Sequence, residues 1–370
     1  MNVKTDSIYM ARALQLAERG LYTTAPNPNV GCVLVVDGNV VGEGWHQRAG
    51  GAHAEVNALK QAGDNAHGAT AYVSLEPCCH HGRTPPCTEA LIKAGIQRVV
   101  VAMQDPNPQV AGKGLAQLQA EGIDTSSGLM QAQAEALNAG YIMRMRQGRP
   151  LVRCKMAMSL DGRTAMASGE SKWITGTAAR QQVHRLRARS GAIMTGIGTV
   201  LADDPSLNVR LQDNVPEGGW LQPVRVILDP NLNTPVDARL LQQAGRTIIV
   251  TAVQDAERKA ELQRAGAELV FLPSPGGRID LPELLTYLGN EQINEVLLET
   301  GATLSGAMLN AGLVDELKIY MAPHLMGNAA RGLFALPGLQ TMDQSIDLHI
   351  HDIRAIGDDW CLTAGVKRKE

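Results

Sequence analysis

The chain has 370 residues, 44% of them apolar and only 3% aromatic, which provides for two ordinary cores built from aliphatic side chains. A net charge of −3 leaves no broad basic footprint for nucleic acid, and no apolar run approaches the roughly 18 residues of a membrane helix. The opening M-N-V-K-T-D-S-I lacks a signal peptide's apolar region and six cysteines suit a reducing compartment, so a cytoplasmic protein without nucleic-acid or membrane partners is expected.

Asp6 or Ser7 predicts the cap of a helix that runs to Arg19 and stops at Gly20. Residues 24–31 (T-A-P-N-P-N-V-G) lead into an apolar strand over 30–36, and Asp37-Gly38 turns it into a second strand over 40–46, a hairpin by its turn chemistry. A helix over 54–63, stopped by Gly63, puts His53 and Glu55 in its first turn. A strand over 71–75 delivers Glu76-Pro77-Cys78 to the next helix start, where the dipole favours a thiolate. A helix over 86–94 and a strand over 97–103 give the alternation of an α/β layer structure. Residues 105–114 (D-P-N-P-Q-V-A-G-K-G) form a loop at a strand end, where sites of α/β proteins gather. Helices are expected over 115–121 and about 130–143, and the basic segment 144–150 (R-M-R-Q-G-R-P) marks the boundary between domains 1–147 and 148–370.

The chemistry of the first half lies between His53 and Cys87. His53 and Glu55 two residues apart, followed by Pro77-Cys78 and a further cysteine, match the signature of zinc-dependent base deaminases. One imidazole and two thiolates leave the fourth tetrahedral position open for water, whose pKa the metal lowers from about 15.7 to about 7. Glu55 is then free to carry protons. The signature closes with P-C-x-x-C, whereas eight residues separate Cys78 from Cys87 here. Cys79 is available, but neighbouring side chains diverge, so the expected ligands are His53, Cys78 and Cys87. The alternatives are a structural zinc knot using His80 or His81, or a buried cysteine cluster. A structural site fills all four positions with protein ligands and has no use for a glutamate beside the histidine.

The second half restarts with a strand over 151–159 whose alternation places Arg153, Lys155, Ala157 and Ser159 on one face. On the helix over 177–190, Arg180, His184 and Arg187 share a stripe, which is a solvated surface or, facing a cleft, a phosphate seat. Residues 190–199 read as a strand and a glycine-rich turn. Strands over 224–228, 247–251 and 268–272 and a helix over 256–265 follow. A strand over 295–299 then enters 300–310 (T-G-A-T-L-S-G-A-M-L-N), whose glycines can bring backbone N–H groups to a phosphate. A strand over 317–323 and a terminal pair around Gly357 complete the chain.

The G-R-T-P-P-C run at 82–87, inside the long spacing between the two cysteines, resembles the bifunctional riboflavin-biosynthesis deaminase/reductase family. The second half is similar to that family's reductase domain at 154–162 (C-K-M-A-M-S-L-D-G), 171–176 (S-K-W-I-T-G), 203–210 (D-D-P-S-L-N-V-R) and 298–304 (L-E-T-G-A-T-L). The resemblance implies an N-terminal cytidine-deaminase-like α/β/α domain and a C-terminal dihydrofolate-reductase-like α/β domain. It further implies zinc-dependent hydrolytic deamination of 2,5-diamino-6-(5-phosphoribosylamino)pyrimidin-4(3H)-one, then reduction of the ribosyl chain to ribityl by NADPH. By the same likeness Asn27, His46, Arg83, Asp105 and Asn107 meet the pyrimidine and its ribosyl phosphate. Ala157, Trp173, Thr199, Asp203 and the run Gly301, Ala302, Thr303, Leu304, Ser305, Gly306 and Ala307 meet NADPH. Ser171, Arg187, Leu207, Arg210 and Glu299 meet the sugar phosphate, and Lys155 stands beside the transferred hydride. A homo-oligomer, dimer or tetramer, is the expected assembly. From the residues alone two rival classes stay open: a deaminase with an appended binding domain, and a zinc-stabilised scaffold without activity.

Overall fold

A computed structural model describes residues 3–81, 85–213 and 215–367. Its contacts divide the chain into units Met1–Gly148 and Arg149–Glu370.

In the first unit, α1 spans Val3–Glu18, so the helix begins before the expected cap. Asp6 lies inside it, where its buried carboxylate takes hydrogen bonds from Arg98 (2.8 and 3.1 Å) and Tyr72 (2.6 Å). An ion pair to Arg98 has replaced the cap. Strands β1 (Gly31–Val36) and β2 (Asn39–Trp45) form the hairpin, with positive φ at both Asp37 and Gly38, as a type I′ turn requires. Helix α2 (Ala54–Ala62) lies against β2 so closely that a Cβ on Gly42 or Gly44 would stand 2.4 or 2.3 Å from its carbonyl oxygens. Those two glycines allow the start of α2, with His53 as its N-cap, to settle onto the sheet.

The unit continues with β3 (Thr70–Val73), α3 (Cys87–Lys93), β4 (Arg98–Val101), α4 (Lys113–Ala120), β5 (Asp124–Ser127), α5 (Gln131–Leu137) and α6 (Ala139–Gln147). The sheet order is β2-β1-β3-β4-β5; β1 is antiparallel to both neighbours and the rest are parallel. Cys32, Leu34, Ala71, Val73, Val99 and Val101 pack with residues of α2, α3 and α4, while Val33, Val35, Tyr72 and Val100 pack with α1, α5 and α6. This is a three-layer α/β/α arrangement. Three expectations need correcting. Cys78 is not at a helix start, because α3 begins at Cys87. The helix expected over 130–143 breaks at Asn138, whose buried side chain accepts from the Asn29 N–H (2.7 Å) and donates to the Asn29 carbonyl (3.0 Å). Strand β5 was not expected, since D-T-S-S has no apolar period and is held through its backbone pairing with β4.

The second unit contains β6 (Leu151–Ser159), β7 (Arg163–Ala165), α7 (Thr177–Arg189), β8 (Ala192–Gly196), α8 (Ile197–Asp203), β9 (Val224–Leu228), β10 (Thr247–Thr251) and α9 (Ala256–Arg264). Then come β11 (Glu268–Phe271), β12 (Pro273–Ser274), β13 (Arg278–Ile279), α10 (Leu281–Asn290), β14 (Glu295–Leu298), α11 (Ala302–Asn310), β15 (Glu316–Ala322), β16 (Arg331–Gly332), β17 (Leu348–Ile356) and β18 (Asp359–Val366). Nine strands form the main sheet in the order β11-β10-β9-β8-β14-β6-β15-β18-β17. The alternation expected of β6 is present: Val152, Cys154 and Met156 join the core beneath α10 and α11, which leaves Arg153 and Lys155 on the other face with α7. Residues 190–199, expected as a strand and a glycine-rich turn, hold the strand β8, but α8 begins at Ile197 in place of the turn. Helix α10, absent from the expectations, is capped by the Asp280 side chain and carries Pro282 in its first turn.

Candidate active sites

In the first unit, His53, Cys78 and Cys87 converge. Their donor atoms all lie within 4.8 Å of one another, with the His53 Nδ1 3.2 Å from the Cys87 Sγ and 3.5 Å from the Cys78 Sγ. Zinc bonded tetrahedrally to one nitrogen and two sulfurs sets its ligand atoms about 3.5 to 3.8 Å apart, so the donor set fits that ion. Each ligand arrives by a different device: His53 at the head of α2, Cys87 at the head of α3, and Cys78 in the loop after β3. Although Cys78 is not itself at a helix start, its sulfur accepts the Cys87 backbone N–H at 3.3 Å, so it meets the N-terminal pole of α3 through space. Hydrogen bonding by Cys87 pulls the Cys78 thiol down to about 4, and the same contact together with burial drives Cys87 up.

Glu55, 3% exposed, stands beside this cluster; burial pushes its carboxyl up to about 7, with the Cys78 charge adding and His53 opposing. A bound dication acts in the opposite direction. Asn27 and His46 meet at 3.0 Å, and the His46 ring lies edge-on to His53 at 5.4 Å between centroids. Asp105 is buried; its Oδ1 accepts from the Asn107 N–H (2.8 Å) and the Tyr141 hydroxyl (3.0 Å). Arg83 lies outside the described residues. Glu76, Thr88 and Tyr141 were missed from the sequence. Thr88 donates from its hydroxyl to the Cys78 carbonyl at 3.3 Å, a link nothing in a lone threonine announces.

In the second unit the middle of β6 and the segments that follow β8 and β14 carry residues expected at the other site. Lys155, half-buried on β6, is pushed below its ordinary range by burial; Glu299 opposes this and Arg187 adds to it. Burial would raise Glu299, but Arg187 and Lys155 hold it below the ordinary range. Arg187 grips Glu299 with both arms of its fork (2.6 and 2.9 Å) and donates to the Asn208 carbonyl (3.1 Å). Its guanidinium is therefore committed to the site's own carboxylate. Arg180, from the same helix stripe, lies over the exposed Trp173 ring at 4.8 Å, and His184 accepts the Arg210 backbone N–H at 3.3 Å.

The head of α11 is open: nothing stands within 4 Å of a Cβ built on its cap, Gly301. The hydroxyls of Thr300 and Thr199 approach to 3.5 Å, and Lys172 bridges to Asp203 at 3.0 Å, which joins the segment around Ser171 to the end of α8. An open helix start with free N–H groups suits a cofactor phosphate. Among the residues expected to line it, Thr303 is exposed and Leu304 partly buried. Ser305 turns inward, with its hydroxyl 3.4 Å from the Met156 sulfur, and Gly306 packs against the Ala335 backbone. Ala302 is buried, Ala307 exposed, and Ala157 partly buried on the Lys155 face of β6. Leu207 is buried, with φ +45°.

The fold and the two sites define a zinc-dependent cytidine-deaminase-like unit joined to an α/β reductase unit. Residues 3–103 match the model of the cytidine and deoxycytidylate deaminase zinc-binding region, and residues 150–362 match that of the RibD C-terminal domain. The chain is 54% identical to the riboflavin biosynthesis protein RibD of Escherichia coli, covering 96% of this chain and 98% of that protein, and 51% identical to its Haemophilus influenzae counterpart. Among solved structures, a form of Acinetobacter baumannii RibD superposes with a TM-score of 0.93 at 47% identity, covering 99% of this chain and 100% of that one. A Thermotoga maritima structure superposes at 0.87 and 31% identity, covering 99% of both chains. The chain belongs to the RibD family of bifunctional deaminase/reductases of riboflavin biosynthesis, whose deaminase domain binds zinc and whose reductase domain uses NADPH. No helix among the described residues is long and apolar enough to cross a membrane.

Proposed function

We propose that the two activities of the family reside at the two constellations just described. The Thermotoga maritima relative is described as a diaminohydroxyphosphoribosylaminopyrimidine deaminase and 5-amino-6-(5-phosphoribosylamino)uracil reductase, and the same substrate is assigned here. One observation carries the deaminase: three zinc-type donors within 4.8 Å, with a buried carboxylate two residues from one of them. His53, Cys78 and Cys87 would hold zinc, which would supply a water acidified towards neutrality. Glu55 takes a proton at its carboxylate from the attacking water and returns one to the departing amine, which leaves as ammonia. Asn27 and His46 on one side, and Asp105 and Asn107 on the other, orient the pyrimidine and its ribosyl phosphate; Arg83 is assigned to the same phosphate.

In the reductase unit, bound NADPH supplies the hydride. Lys155 stabilises charge at the reacting sugar carbon, and Arg187 fixes Glu299 beside it. The head of α11, with Gly301 through Leu304, seats a cofactor phosphate through backbone N–H groups, and the run through Ala307 extends this seat. Ala157, Trp173, Thr199 and Asp203 border it. Ser171, Leu207 and Arg210 complete the sugar-phosphate pocket with Arg187 and Glu299. The compartment assigned is the cytoplasm. The assembly assigned is a homo-oligomer, supported by an apolar row on one face of β17 and β18: Leu348, Ile350, Ile353 and Trp360 are 39 to 53% exposed. Sedimentation as a monomer would remove that assignment. The test of the deaminase is Glu55→Gln, which keeps the side chain's shape and cannot accept the proton. Zinc stays bound while ammonia release falls about 10²- to 10⁴-fold; near-normal release with zinc in place contradicts the role of Glu55.

A further inference from the structure

Glu76 has no part in the chemistry above, yet its carboxylate gathers the site together. It is 3% exposed and lies two residues before Cys78. Its Oε2 accepts the backbone N–H groups of Asp105 (3.1 Å) and Gly112 (2.9 Å), and its Oε1 accepts those of Gly114 (2.9 Å) and Leu115 (3.2 Å). Its own N–H donates to the Met103 carbonyl at 3.0 Å, so the ends of β3 and β4 are joined at the same residue. One buried charge thus ties the segment carrying Cys78 to both ends of the 105–112 loop and to the first turn of α4. Gly114 is shaped for this contact: a Cβ there would lie 2.2 Å from the Pro77 carbonyl oxygen and 3.1 Å from the Glu76 Oε1.

We propose that Glu76 is a positioning residue of the deaminase, acting through residues 105–112 to hold Asp105 and Asn107 at a fixed distance from the metal ligands. The inference rests on the reading that Asp105 and Asn107 meet the substrate. A loop ordered in advance spares the substrate the entropy of ordering it, so the benefit is in binding. A glutamine has the same outline, but its carbonyl can satisfy one pair of N–H donors while its NH₂ group confronts the other pair. Half of the loop's anchor then becomes repulsive, and buried donors left unmatched are costly.

The experiment uses the full chain, whose reductase serves as an internal control. In Glu76→Gln the KM for deamination of the diaminopyrimidine ribosyl phosphate rises about tenfold or more, kcat at saturation changes less than about threefold, and zinc remains at one per chain. Gly114→Ala, whose Cβ presses on the Pro77 carbonyl and the Glu76 side chain and so displaces the same loop while the carboxylate itself is kept, shows the same split. Combined with Asn107→Ala, Glu76→Gln adds little further, because the two act through one loop. A wild-type KM in either variant that retains zinc overturns the inference, and so does full additivity in the double variant. Zinc lost from both Glu76→Gln and Gly114→Ala overturns it as well, since the effect then runs through the metal. If Asp105→Asn and Asn107→Ala leave KM unchanged, the substrate-loop reading has failed; if they raise it and Glu76→Gln does not, only the present inference has failed.

Discussion

Cys78 and Cys79 are neighbours in the chain, and only Cys78 joins the donor cluster. Removing any one ligand of a three-ligand site leaves too few donors, so His53→Ala, Cys78→Ser and Cys87→Ser each lose zinc while Cys79→Ser keeps about one per chain. Metal analysis of the four purified variants checks this, and complete loss from Cys79→Ser alone would show that the cluster has been read wrongly. The cluster was legible because a metal demands particular residue types at particular spacings. Glu76, Thr88 and Tyr141 were not legible, because each works through groups 10 to 39 positions away that only folding brings near. Ser305, assigned to the cofactor by family likeness, has its hydroxyl 3.4 Å from the Met156 sulfur, a contact that its place in the sequence does not announce.

At the scale of elements, strands buried on both faces were the easiest to read: β9 (V-R-V-I-L) and β10 (T-I-I-V-T) have the expected bounds, since each is short and rich in β-branched apolar residues, with Arg225 the one charge inside β9. Polar β5 and the break at Asn138 were hidden, because backbone pairing and a side chain reaching across 109 positions leave no local period. The buried charges of the second unit join elements in the same long-range way. Glu295 on β14 binds Arg153 of β6 (2.8 Å) and Arg189 of α7 (2.8 and 3.0 Å). Burial alone would raise its carboxyl, but the two arginines hold it near 2, against an ordinary 4.5. A depressed folded value means that the unfolded chain takes the proton first. The stabilisation is therefore complete above about pH 4.5 and is lost as pH falls towards 2, on the order of 3 kcal/mol in all. His184 adds a loss of the same sign at higher pH, because burial, Arg187 and Arg210 push it down to about 4 from 6.5. Thermal unfolding followed against pH should show stability being lost below about pH 4.5 as Glu295 takes its proton. Glu295→Gln should flatten the part below 4.5, and an unchanged slope in that variant would contradict the clasp.

The molecule as a whole is two units, each with its own core: one built on both faces of the five-stranded sheet, the other on both faces of the nine-stranded sheet. The zinc-type cluster belongs to the first, while Lys155, Arg187 and Glu299 belong to the second. A fragment from Pro150 to Glu370 should therefore fold, bind NADPH and reduce the deaminated intermediate without zinc. Within it, Lys155→Ala should lower hydride transfer more than cofactor affinity, because a cation beside the reacting carbon matters most as charge develops. NADPH absorbance under saturating substrate reads both, and a folded fragment that oxidises no NADPH would leave the second unit as a binding domain. The central claim, that one chain performs both steps, is tested most directly by incubating the purified protein with the diaminopyrimidine ribosyl phosphate and weighing the products by mass spectrometry. Without NADPH the account predicts ammonia and a product in which an amino group is replaced by oxygen, about 1 Da heavier; with NADPH it predicts a further gain of about 2 Da as ribosyl becomes ribityl. Deamination unaffected by loss of zinc, or no 2 Da gain with NADPH present, would contradict it.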